Sequence, residues 1–149
     1  MARARSLIAL GSLACAVTVA APAPAATSRT EQRLIDAVNE FRHEHGLRPL
    51  RGARSLSRTS DRAARRILRT GELRHSRPIN RRYRRAGENL AWQGGRTRDV
   101  WQVVRMWAGS RSHRSVMLRR GVRWIGTGQR YGKLRGGRST VWVLQVGGR

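Results

Sequence analysis

Cysteine is almost missing from this 149-residue chain: Cys15 is the only one, and it sits in an apolar run near the start. Downstream of that run there is no thiol, which excludes disulfide scaffolding and cysteine nucleophiles. Stability must therefore come from packing, and a domain of this size buries roughly two-thirds of the surface of its unfolded chain. Lysine is equally scarce, since Lys133 stands alone among 32 basic side chains. Acids number only eight, leaving a formal net charge of +24. With one Phe and two Tyr, the five tryptophans must supply much of any aromatic core. Trp107, Trp124 and Trp142 read as core, whereas Trp92 and Trp101 are left open.

Long hydrophobic runs are missing too, with one exception. Leu7 to Ala21 is apolar apart from Gly11, Ser12 and Thr18, follows Arg3 and Arg5, and leads into Pro22-Ala23-Pro24-Ala25-Ala26. A basic start, a short apolar stretch and small residues at the cut make a secretory signal over residues 1–26. The run falls short of the ~20 residues of a spanning helix, so no transmembrane segment is expected after cleavage. Lipid anchoring at Cys15 is disfavoured, because Ser12 stands where an aliphatic residue belongs and the apolar run continues past the cysteine. The expected product is secreted or wall-associated: a polar linker over 27–33, then one domain over 34–149.

The charge has two readings. An arginine-rich surface suits anionic partners such as envelope polymers, anionic lipid or nucleic acid. A compositional bias toward Arg explains the same count without a partner, and the spread of arginines along the whole domain favours it. No specific nucleic-acid motif is present.

Leu34, Ile35, Val38 and Phe41 recur at helical spacing up to Gly46, and Leu56, Ala63, Ala64, Ile67 and Leu68 do so up to Gly71. Residues 74–98 lack a period and read as a long loop. Val100, Val103, Val104 and Trp107 predict a third helix opened by Thr97 or Asp99, and Val116 to Leu118 a short fourth. Two antiparallel strands, Val122 to Gln129 and Thr140 to Val146, close the chain around a turn at 132–137. Helices first and strands last predict an α+β fold.

Four histidines are candidates for chemistry. His43 and His45 are two apart on one helix and do not share a face, so they read as end-capping or solvated. His75 and His113 stand in polar segments, and Glu88 is a rare acid in the arginine-poor stretch from Ala86 to Gly95. Two imidazoles and a carboxylate suit a divalent cation, polarisation of water, or a hydrogen-bonded pin that is purely structural. Asn89 reads as serving the backbone of its own turn.

Six pieces in order carry a resemblance: Leu34 to Asn39; His75; Gly87-Glu88-Asn89-Leu90; Trp107 with Ser110-Arg111-Ser112-His113-Arg114; Ile125-Gly126-Thr127-Gly128; and Trp142 to Gly147. Together they resemble the CAP superfamily of cysteine-rich secretory, antigen five and pathogenesis-related proteins, in its short bacterial SCP-like branch, over roughly residues 34–147. The resemblance implies an α-β-α sandwich with a central antiparallel sheet flanked by helices. It also implies a cleft in which His75, Glu88 and His113 hold positions of a two-His, two-acid set. Ser110 stands at the fourth position, which removes the second carboxylate.

Three functions follow as expectations. The first is a secreted binding domain holding Zn2+ or another divalent cation between His75 and His113, with Glu88 as ligand or orienter and a lipid, sterol or small ligand in the cleft. The second is a polyanion-binding basic protein. The third is a hydrolase using Ser110 or Ser112, His113 and Glu88, which lacks a nucleophile elbow and a recognisable oxyanion hole. Ser110 and Ser112 also read as caps of the short helix.

Overall fold

The computed structural model describes residues 28–149. The leader, its cleavage region and Cys15 lie outside the described residues. The first helix, α1 (Arg29–Glu44), begins inside the stretch expected to be linker. Ser28 Oγ accepts from Glu31 N at 3.2 Å while Ser28 N donates to the Glu31 carboxylate at 2.8 Å, a reciprocal capping box. First-turn residues satisfy the helix end rather than the core, so apolar periodicity does not reveal them. The helix buries Leu34, Ile35, Ala37 and Val38, and the chain leaves it through Gly46 at φ 65°.

A two-residue strand, β1 (Arg51–Gly52), precedes α2 (Arg54–Thr70), which ends on Gly71 at φ 73° as its sequence predicts. The segment 74–98 is not wholly loop: it contains β2 (Arg85–Gly94), a ten-residue strand. From Gly87 to Ala91 that strand is buried on both faces, which abolishes the polar-apolar alternation that marks a strand. Next come α3 (Val100–Ala108), capped by Asp99 on Gln102 N at 2.9 Å, and α4 (Arg111–Met117). Strands β3 (Trp124–Leu134) and β4 (Gly137–Gly148) form the expected closing hairpin. They run longer than the sequence suggests and meet at a tight turn, Arg135-Gly136, with φ of 50° and 82°.

The sheet order is β1-β3-β4-β2. The three long strands are antiparallel, while β1 pairs parallel to β3, so the sheet is mixed rather than wholly antiparallel. Alternation along β4 sends Trp142, Leu144 and Val146 into one core with α1, α3 and α4. Val141 and Val143 enter a second core with Ala63, Ala64 and Ile67 of α2. Helices on both faces of one sheet give the expected α-β-α sandwich. Gly126 and Gly128 let α2 lie directly on β3: a Cβ at Gly128 would sit 2.6 Å from Asp61 N.

Trp107 and Trp142 are buried as expected, Trp124 is only half-buried, and Trp92 and Trp101 are exposed. Arg42 is the unexpected core residue. Its guanidinium donates to the carbonyls of Arg48 at 3.0 Å and Met117 at 2.6 Å, tying α1 to the end of α4. Burial pushes its pKa down from the ordinary arginine value. Among the described residues no helix is long and apolar enough to cross a membrane.

Candidate functional site

Strand β2 lies at one edge of the sheet and carries the site. Glu88 pairs in register with Gln145 of β4 and points to the α2 side, as does Leu90 two residues on. Its side chain has no exposed surface. An ionised carboxylate in that position must be met by donors. Three meet it: His75 Nδ1 at 3.0 Å and Ser76 N at 2.8 Å on Oε1, and Gln145 Nε2 at 2.7 Å on Oε2. Gln145 Oε1 in turn accepts from Thr59 Oγ1 of α2.

His75 is thereby held from behind, with 53 % of its side chain still exposed. Because Nδ1 donates to the carboxylate, a neutral ring carries its lone pair on Nε2. The ring lines an open cavity of about 860 Å³, together with Leu73, Arg66, Arg77 and Arg135.

His113 arrives from the other layer. Asn89, the neighbour of Glu88, faces the opposite side of β2 and donates from Nδ2 to the His113 carbonyl at 2.9 Å, fixing α4 against the strand edge. Asn89 therefore does not serve its own turn; it sits in a strand and positions the second histidine. Partial burial pushes the His113 pKa below the ordinary histidine value, and the nearby His75 adds to the effect by charge repulsion. The shift favours the uncharged form of the ring.

Ser110 and Ser112 make no hydrogen bond to His113 among the described residues. Ser110 occupies the N-cap position of α4 without a side-chain capping bond, and its hydroxyl pairs with Ser112 Oγ at 3.1 Å. His45 is engaged at the helix end through Phe41 O at 2.7 Å, and His43 is exposed. Among the described residues no three His, Cys, Asp or Glu side chains converge as a ready-made metal site. Glu88 accepts on both oxygens, and through Oε1 it holds His75.

Sequence reasoning singled out His75, Glu88 and His113 and missed their supports. Gln145 had a signal, as the lone amide in the apolar run Val141 to Val146. Thr59 had none, since a threonine in a helix with several other hydroxyl residues is unremarkable by spacing.

No curated protein matches the chain in sequence. Solved structures do match in fold. An outer surface protein from Borrelia burgdorferi superposes with a TM-score of 0.67 at 18% identity, covering 84% of this chain and 96% of that one. An extracellular protein containing an SCP domain from Bacillus anthracis gives a TM-score of 0.65 at 18% identity over 80% of this chain. A cysteine-rich secretory protein from Staphylococcus aureus gives 0.61 at 20% identity, again over 80% of this chain. This chain spans only 40% and 39% of the last two proteins, so in each the shared domain is one part of a longer chain. The sequence pattern of the cysteine-rich secretory protein family, CAP, matches residues 35–146, and with the sandwich and the β2 edge in place the chain belongs to that family.

Proposed function

We propose that this is an exported binding domain whose ligand site is centred on His75 and His113. The observation that carries the reading is the burial of Glu88. A carboxylate without exposed surface, satisfied by three donors, is spent on aiming one exposed imidazole into an open cavity. A purely structural pin has no need to leave that ring half exposed with a free nitrogen. A divalent cation would be held by His75 Nε2 and the neutral His113 ring, and two imidazoles favour zinc. Bound there, zinc would supply a Lewis acid with open positions for water or for an anionic headgroup of a small or lipidic ligand.

Export is supported by the leader and by neighbours described as outer surface or extracellular proteins. A serine hydrolase has no such support, because neither Ser110 nor Ser112 bonds to His113. The test is a calorimetric zinc titration of the domain beside a His75→Ala, His113→Ala variant. Saturation near one ion per chain, lost in the variant, is the expected result. Equal binding by both proteins, or none by a folded wild type, would overturn the reading.

A further inference from the structure

A second concave surface lies between α2 and the loop before β2, lined by other residues than the cavity at His75. Arg54, Arg58 and Arg62 recur every four residues on that helix, and Arg81 and Arg82 face them from the loop before β2. They line a trough of about 610 Å³ to which no acid contributes. All five side chains are exposed. The acids that pair with arginine among the described residues are engaged elsewhere, by Arg65, Arg74, Arg105 and Arg130. The start of α2 adds to the positive field, since Ala53 at its N-cap offers no side-chain acceptor to the free N–H groups.

From this arrangement we infer a binding site for a linear polymer of phosphodiesters joined by a sugar alcohol. Guanidinium groups four residues apart stand about 6 Å apart along a helix at ~1.5 Å per residue, comparable to the repeat of an extended polyol phosphate. Each can grip a phosphate with two parallel N–H donors. The trough wall has no Phe, Tyr, Trp or His, so it has no platform on which a nucleobase would stack. It is concave and walled by five arginines, which suits a threaded polyanion better than a flat membrane face. The whole-chain charge of +24 draws any polyanion; the trough is what distinguishes one.

The experiment is a fluorescence-anisotropy titration with labelled poly(glycerol phosphate) in a buffer containing chelator, so that its outcome is independent of any metal in the histidine cleft. Three proteins are compared: wild type, Arg54→Gln with Arg58→Gln and Arg62→Gln, and a control of equal charge, Arg33→Gln with Arg120→Gln and Arg123→Gln. An Arg81→Gln, Arg82→Gln variant tests the opposite wall without touching the helix. Circular dichroism establishes that each is folded. The site predicts that the trough variants weaken binding about tenfold or more and the control less than twofold. It also predicts that the triple trough variant lowers the slope of log affinity against log salt by about 2, from ~0.7 per phosphate contact. Equal loss in trough and control variants would reduce the effect to net charge and overturn the site. Tighter binding of a single-stranded thymidine oligomer, or binding of phosphatidylglycerol vesicles alone, would overturn the choice of polymer.

Discussion

A buried carboxylate at position 88 is tolerable because the strand opposite and the loop beneath supply its donors: Gln145, His75 and Ser76 N. Glu88→Gln keeps the shape and removes the charge, but it places an amide NH2 where one of those donors points. We expect zinc affinity in calorimetry to fall roughly 10- to 100-fold, the usual effect of losing a group that orients a metal-binding histidine. Unchanged affinity would show that the orientation of His75 is set elsewhere. His113 makes a second prediction. Its folded-state pKa lies below the unfolded value near 6.5, so the unfolded chain takes up the proton more readily. Its contribution to stability is full above that value and is lost as pH falls through it toward the lowered one. Urea midpoints for wild type should decline more steeply from pH ~7 to ~5 than those of His113→Asn. The three polar residues of the site were legible because rare polar groups in an otherwise arginine-dominated chain stand out. Their supports were less so: Asn89 reaches the backbone of α4 and Gln145 acts across strands, and local sequence carries no record of either contact.

Among the elements, four helices and the closing hairpin were legible from apolar spacing and from Gly71 and Asp99 at their boundaries, although α4 starts earlier than its apolar residues suggest. Strand β2 was not, since Gly87-Glu88-Asn89 interrupts any apolar pattern at the point where burial is complete on both faces. The parallel pairing of β1 was equally hidden, because two exposed residues, one of them glycine, carry no periodicity. The close seat of α2 on β3 depends on Gly126 and Gly128. Gly128→Ala would drive a methyl group into the backbone around Asp61, which is rigid helix and not the flexible end of a side chain. We expect a loss of about 2–3 kcal/mol in urea denaturation, at the upper range for overpacking. The same substitution at Gly94, which faces open space, should cost under about 1 kcal/mol. Equal effects would mean that the helix is free to lift from the sheet.

At the scale of the molecule, the β2 edge of the sheet is where its two faces meet. On its α2 side lie the Thr59-Gln145-Glu88 chain and the arginine-lined trough; on the other, α4 delivers His113 from a core held by Trp107 and the buried Arg42. The capping box at Ser28 and Glu31 places the start of α1 just after the expected cleavage region. Mass spectrometry of the protein recovered from culture medium should find an N-terminus at Ala26 or Thr27; an intact Met1 in that fraction would refute the leader. The central claim is that two histidines, and only those two, form the ligand site. It is tested most directly by adding zinc to the domain while following the imidazole resonances of its four histidines by NMR. His75 and His113 should shift together and saturate near one equivalent, with Nε2 the affected nitrogen of His75, while His43 and His45 stay in place. Shifts confined to His43 and His45, or spread evenly over all four, would contradict it.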